Sequence, residues 1–219
     1  MRRENLLNAG SRLFARWGFD KTSVDDIARE AGISKGAVYL EFPNKDALFK
    51  AVLYHESIRY TEDWLRRFES DPGEWSFARL FQHSIAAIQA NPLMKALHLR
   101  DQQVFGAFLR RDPDLFLLKT SMSTELFRGL QKEGAMRDDI AAPVLAYLMS
   151  AIGYGLAAGD EIIPMADRVP LEDSITALGQ LLDRGLAPEK ARQKDAGRAY
   201  LVAVVKKMQQ ALSLAGQKS

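Results

Sequence analysis

Apolar residues recur at three- and four-residue spacing along almost the whole chain, which is the period of an amphipathic helix. No segment keeps the strict apolar–polar alternation of a half-buried strand. Glycine and proline interrupt the pattern at points that divide it into separate helices. The pattern therefore predicts an all-α fold, with helices near residues 3–17, 24–31, 35–42, 45–68, 75–90, 93–110, 114–132, 139–158, 171–185 and 189–214.

Two of these helices are short, and the sequence between residues 22 and 42 predicts how they are joined. Thr22 is predicted to cap the first of these helices. It would form a capping box in which position N3 of the helix holds Asp25 instead of the usual glutamate. Gly32 supplies a left-handed turn residue and Ser34 caps the second helix. Two short helices joined by a turn with glycine form a helix-turn-helix unit.

The second short helix is predicted to bury Val38 and Phe42 and to turn a different set of side chains outwards: Lys35, Gly36, Ala37, Tyr39 and Leu40. Small residues on the outer face let a helix enter a DNA major groove, where apolar side chains contact thymine methyl groups and polar ones reach phosphates. The Thr22 and Ser23 hydroxyls and the Lys45 ammonium are further candidates for phosphate contacts. Periodicity alone leaves open a plainer interpretation, in which these are two core-packing helices with an exposed tyrosine.

The first fifty residues resemble the DNA-binding head of the tetracycline-repressor (TetR) family. The matching positions are Ala9 to Phe14, Gly18-Phe19, Thr22 to Ala28, Ala31 to Gly36, Val38-Tyr39, Phe42 and Asn44 to Leu48. The resemblance implies a dimeric repressor with an all-helical C-terminal body that binds a small molecule. It also implies that Thr22, Lys35, Tyr39 and Lys45 hold phosphates, and that Ser34, Gly36, Ala37 and Leu40 lie at the groove.

The chain departs from the family pattern at Leu40-Glu41, where members often carry an aromatic residue and a histidine or tyrosine. Leucine lacks a hydrogen-bonding group, and Glu41 brings a negative charge close to phosphates. The departure bears on which operator sequence is bound. A solvent-facing or Lys45-paired Glu41 is the expected arrangement.

These observations predict two domains: a helix-turn-helix DNA-binding domain over residues 1–45, and a helical ligand-binding and dimerisation domain over residues 46–219. Small residues at four-residue spacing permit close helix packing, so a homodimer interface is expected at Ala151, Gly155 and Gly159. The next helix would add Ile175, Leu178, Leu181 and Leu182. The alternative is that the same stripe packs within one subunit.

The middle helices are predicted to hold an apolar or aromatic effector. The candidate lining residues are Phe81, His83, Met94, His98, Gln102, Phe105 and Met122. Methionine and phenylalanine at helical spacing are also typical of an ordinary core, and the two histidines could instead be exposed or hydrogen-bonded.

Composition narrows the function classes. The net charge is only +2, so a nucleic-acid site must rest on where the charges lie. The absence of cysteine excludes disulfides and thiolate metal sites, the three histidines lack metal-ligand spacing, and no metal or cofactor is expected. Residues 140–159 carry no charge over about the length of a membrane span, but Pro143 and three glycines favour a buried interface helix.

No signal peptide is expected, and a cytoplasmic location is consistent with the composition. Two other functions stay open: an enzyme, for which the sequence offers no nucleophile, metal or phosphate motif, and a small-molecule sensor without DNA binding, which Glu41 alone supports. The helix near residues 189–214 lies beyond the resemblance, and the sequence assigns it no role.

Overall fold

The computed structural model describes residues 2–74, 76–99, 101–106, 108, 114–159, 163–188 and 194–217; for residues 114–121, 157, 194–196 and 217 it describes the backbone alone. Within these ranges the chain is helical and contains no strand, which confirms the all-α prediction. The α-helices are α1 (Arg2–Lys21), α2 (Val24–Glu30), α3 (Lys35–Glu41), α4 (Lys45–Ser70), α5 (Phe77–Gln89), α6 (Pro92–Leu99), α7 (Gln102–Phe105), α8 (Asp114–Lys132), α9 (Ala142–Ala157), α10 (Leu171–Leu186) and α11 (Lys194–Gln217), with a short 3₁₀ turn at Met165–Asp167.

One predicted helix is wrong. The apolar pattern predicts a continuous helix over residues 93–110, whereas the structure has α6 and α7 in that range. Asp101 caps α7 by accepting a hydrogen bond from the Gln103 amide at 2.7 Å, and Gly106 at φ +50° follows its last residue. The predicted ends at Trp75, Arg110 and Glu189 lie outside the described residues.

The described chain divides into two compact units. The first comprises residues 1–62, 88–113 and 209–219, and the second comprises residues 63–87 and 114–208. The predicted domain boundary after residue 45 stays a prediction.

Five phenylalanines form the centre of the first unit. Phe14, Phe19 and Phe49 come from α1 and α4, and Phe49 lies 5.6 Å from Phe105 and 4.7 Å from Phe108 between ring centroids. All five are at most 3% exposed. Burying one such side chain contributes about 1.5–3 kcal/mol, so this cluster holds α1 against α4. Helix α1 also contacts α2, α6 and α7.

The second unit is held by contacts between its own helices. Helix α8 packs on α9, and the Trp64 indole N–H donates to the Leu80 carbonyl at 3.3 Å. Gly179 of α10 lies against Ala78, where an added Cβ would come within 2.6 Å of the Ala78 Cβ. Among the described helices none combines the length and the apolar character that crossing a membrane requires.

Candidate DNA-binding interface

Helix α2 begins at a capping box, one residue later than the sequence predicts. Ser23 is the N-cap: its hydroxyl accepts from the Asp26 amide at 3.1 Å, while its own amide donates to the Asp26 carboxylate at 3.1 Å. The Ser23 hydroxyl also donates to the Asp26 carboxylate at 2.5 Å, and this hydrogen bond first, then the one from the Ser23 amide, lowers the pKa of Asp26. The predicted capping box of Thr22 and Asp25 is therefore wrong by one residue. As predicted, its N3 position holds an aspartate instead of a glutamate.

Thr22 has a different role. Its side chain is 1% exposed, and its hydroxyl donates to the Gly18 carbonyl at 2.7 Å. A hydroxyl used inside the fold is not presented to DNA, so the structure does not support the predicted phosphate contact by the Thr22 side chain. Ser23, by contrast, is exposed at the start of α2.

The turn between α2 and α3 is the one predicted. Gly32 has φ +68°, and the Ile33 amide donates to the Ala28 carbonyl at 2.9 Å, which closes the end of α2. Ser34 caps α3 by accepting from the Ala37 amide at 3.2 Å. With Val38 buried at 1% exposure, the pair of short helices has the helix-turn-helix geometry.

The outer face of α3 is narrower than the sequence predicts. Leu40 is 87% exposed and Tyr39 47%, and a Cβ added at Gly36 would meet nothing within 4 Å. Ala37 is only 7% exposed, so its predicted place on the outer face is wrong. The buried arc of a short amphipathic helix is about 100° wide, and it includes Ala37 beside Val38.

Lys35 stands at the edge of this outer face. Its ammonium donates to the Asp25 carboxylate at 2.7 Å, and this hydrogen bond raises the pKa of Lys35. Both side chains are 52% exposed. Exposed ion pairs contribute little to stability, so the ammonium can exchange Asp25 for a phosphate at small cost.

Lys45 does not point outwards. Its ammonium donates to the Phe19 carbonyl at 2.9 Å and to the Thr22 carbonyl at 3.2 Å, and it lies 4.3 Å from the centroid of the Phe19 ring. A cation at the C-terminal end of a helix satisfies its free carbonyls and its dipole. The predicted phosphate contact of Lys45 is therefore not supported, because the ammonium is already engaged at the end of α1.

Glu41, at the end of α3, pairs with Arg3 rather than with Lys45. The Arg3 Nη1 and Glu41 Oε2 atoms are 3.6 Å apart, and the Arg3 guanidinium carbon lies 4.5 Å from the centroid of the Phe42 ring. Of the two arrangements expected for Glu41, the pair with Lys45 is wrong, while the solvent-facing one agrees with its exposed side chain. Sequence reasoning missed Arg3 as a neighbour of α3, the recognition helix of the helix-turn-helix. No local signal could have found it, because Arg3 lies 38 positions before Glu41 in the sequence.

The predicted effector-lining residues fall into both compact units. In the first unit Phe105 belongs to the phenylalanine cluster and Gln102 is exposed. The Met94 sulfur accepts from the Ser57 hydroxyl at 3.6 Å, and His98 is half-buried on α6. The second unit contains Phe81, His83 and Met122, all half-buried. His83 lies 2.8 Å from the Asp71 carboxylate, which favours the alternative of a hydrogen-bonded histidine.

The predicted dimer residues lie on α9, just after its end at Gly159, and on α10. Ala151 and Gly155 are exposed, and a Cβ added at Gly155 or Gly159 would meet nothing within 4 Å. On α10, Ile175, Leu178 and Leu182 are half-buried, while Leu181 is 65% exposed. Sequence reasoning missed larger exposed side chains on α9: Val144 (49%), Tyr147 (72%), Leu148 (45%) and Tyr154 (45%).

Comparison with known proteins agrees with this geometry. The sequence profile of the tetR family of bacterial regulatory proteins matches residues 6–52, from α1 through α3 into α4. Residues 6–52 therefore carry the DNA-binding domain of the TetR family. The curated relatives that match this chain are named as transcriptional regulators.

Relatives differ in how much of this chain they match. The uncharacterised regulator YerO of Bacillus subtilis is 49% identical over 47 residues, or 22% of this chain and 16% of YerO. The transcriptional repressor Rv1474c of Mycobacterium tuberculosis is 28% identical over 164 residues, which cover 72% of this chain and 81% of the repressor. The FadR regulator of Bacillus subtilis, solved with stearoyl-CoA, is 14% identical with a TM-score of 0.60; the match covers 83% of this chain and 98% of FadR, and it shows the fold.

Proposed function

We propose that this chain is a homodimeric, cytoplasmic repressor that binds an operator through the outer face of α3 and is released by a small apolar or aromatic molecule. The observation that carries the proposal is the α3 surface: a capped helix with Leu40 87% exposed and no side chain at Gly36. An exposed leucine beside a glycine on a short helix has little use in a monomer core. It fits a major groove, where its methyl groups contact thymine.

The residue roles follow from exposure. Gly36 and Leu40 lie at base edges, with Tyr39 and Lys35 directed at phosphates on either side. Ser23 offers its backbone amide and hydroxyl at the start of α2. Ser34 keeps its place beside the groove while its hydroxyl caps α3.

A single recognition helix reads few base pairs, and helix-turn-helix proteins therefore bind as dimers with half-sites about 34–36 Å apart. The apolar outer face of α9, which includes Tyr147 and Gly155, is the candidate partner surface. Helix α4 begins at Lys45, four residues after α3 ends. An effector that favours one placement of α4 would change the spacing of the two recognition helices by its differential affinity for the two states.

The effector class rests on two observations. The candidate lining residues Phe81 and Met122 are half-buried and mainly apolar, and FadR, with the same fold, was solved with stearoyl-CoA. A long-chain acyl thioester is therefore one probe to test, next to planar aromatic compounds. Release of bound DNA by either class would support the proposal.

The decisive experiment is fluorescence anisotropy with DNA from beside the gene of this protein, across a salt series. Sequence-dependent binding with a steep salt slope is expected for the wild type. Lys35→Ala should reduce the slope by about one, and Leu40→Ala should lower operator affinity by roughly fivefold to tenfold and alter base preference.

Met165→Ala is the matched control, since it also removes an exposed apolar side chain, at 82% exposure, from a position in the second unit that has no assigned role. Equal behaviour of the Leu40 and Met165 variants would contradict the assigned groove contact. Binding that is weak and indifferent to sequence for the wild type would favour a sensor without DNA binding.

A further inference from the structure

The end of α11, to which the sequence assigns no role, is packed in the same compact unit as the helix-turn-helix. Leu212 is 4% exposed. A Cβ added at Gly216 would lie 3.3 Å from the Tyr54 Cβ of α4, so the backbone approaches α4 closely there. The last turns of α11 are therefore a packed part of this unit.

One side chain connects this C-terminal segment to the recognition helix. The Arg3 Nη2 donates to the Gly216 carbonyl at 2.7 Å, and its Nη1 lies 3.6 Å from the Glu41 carboxylate. The Arg3 guanidinium carbon also lies 4.5 Å from the centroid of the Phe42 ring. Phe42 is the C-cap residue of α3 and is 1% exposed. The planar fork of arginine can make these contacts together, whereas the point charge of a lysine cannot.

Charge explains why α3 uses this contact. The helix has no basic residue in its last turn and ends with Glu41, an acid at the negative end of the helix dipole. Without a neighbouring cation, Glu41 would also turn its charge towards DNA phosphates. Arg3 offsets both effects, and the Gly216 carbonyl, at the negative end of α11, orients the guanidinium.

We infer that the end of α11 braces the recognition helix through Arg3, which makes Arg3 a positioning residue for DNA recognition. The hydrogen bond to a half-buried carbonyl fixes the guanidinium more firmly than the exposed ion pair does. Loss of either end of this contact frees the Arg3 side chain and leaves the end of α3 without its cation. The inference rests on the proposed function only in the test that measures operator binding.

The first test needs no DNA. Amide hydrogen exchange of Tyr39 to Phe42 is compared in the wild type, in Arg3→Gln and in the matched control Arg2→Gln, which removes the same charge from an exposed neighbouring position. Arg3→Gln is expected to speed exchange at the end of α3 by about fivefold or more, with the control unchanged. Should Arg3→Gln fail to fold, Arg3→Lys replaces it, because the lysine keeps the charge and loses the fork. Equal exchange in the Arg3 and Arg2 variants overturns the brace.

The second test is a double-mutant cycle on operator affinity. Leu212→Ala removes a buried side chain from the end of α11, and it is combined with Arg3→Gln. If the segment acts through Arg3, each single variant lowers affinity by about tenfold and the double variant lowers it no further.

Additive losses, or a loss with Arg3→Gln and none with Leu212→Ala, would instead make Arg3 a direct phosphate contact and overturn the brace. A wild type that binds no operator contradicts the proposed function alone. The exchange experiment then still decides the inference.

Discussion

Asp71 shows how one carboxylate orders the connection between α4 and α5. It accepts from the Gly73 amide at 2.9 Å and from the His83 ring at 2.8 Å, and it forms an ion pair with Arg79. The backbone hydrogen bond from Gly73 is the first cause of a pKa lowered to about 2, with the His83 and Arg79 contacts adding to it against the effect of burial. A residue with these partners stabilises the second unit only while it is ionised.

The pH dependence follows from that lowered pKa. Because the folded-state pKa of Asp71 lies below its ordinary value of 3.8, the stabilisation is present above that value and is lost as pH falls towards about 2. Asp71→Asn should be less stable than the wild type at pH 5, and the gap should narrow by about 1 kcal/mol as pH falls through this window. Urea unfolding at several pH values measures it. Asp138→Asn, a change at an exposed carboxyl, is the control, and a gap independent of pH would contradict the assignment.

At the scale of elements, the break in α1 decides how α7 packs. Gly18 lies inside Arg2–Lys21 with φ 79° and ψ 169°, so the last residues of α1 leave the axis of the first part. A Cβ at this position would lie 2.0 Å from the Gln103 carbonyl oxygen of α7. Gly18 therefore serves both the turn and the contact that brings Phe105 into the core.

A pair of glycine variants separates these two effects. Gly18→Ala is expected to lower the free energy of unfolding by about 3 kcal/mol or more, through backbone strain and through the collision with α7. Gly32→Ala is also strained, at φ +68°, but the space around its Cβ is open, so about 1–2 kcal/mol is expected. Urea unfolding of both variants provides the comparison. If the two losses are equal, α7 does not pack against Gly18 as described.

At the scale of the whole molecule, sequence reasoning found the helices and the helix-turn-helix because those depend on local chemistry. Gly32, Ser34 and the 3.6-residue period act over a few residues and are visible in one segment. The errors concern partners that lie far away in sequence. Lys45 is engaged by carbonyls near residue 20, and the capping register moved because the Thr22 hydroxyl is used by α1.

The apolar face of α9 makes a prediction about assembly. Tyr147 is 72% exposed, and Gly155 is open, on a helix that carries no charged residue. Exposed apolar patches of this kind are typical of protein interfaces, and Gly155 would let a partner helix approach closely. We expect a dimer in solution, and Tyr147→Glu should weaken it by about a hundredfold or more, because the new charge would be buried without a partner.

Analytical ultracentrifugation over a concentration series measures the change in the dimer dissociation constant. Ala203→Glu places the same charge on an exposed position of α11 and should leave the constant unchanged. Since a dimer is needed to hold two half-sites, the Tyr147 variant should also lose most of its operator affinity while its helical circular dichroism is kept. A variant that stays dimeric would place the partner surface elsewhere, and a monomeric variant with full operator affinity would separate dimerisation from DNA binding.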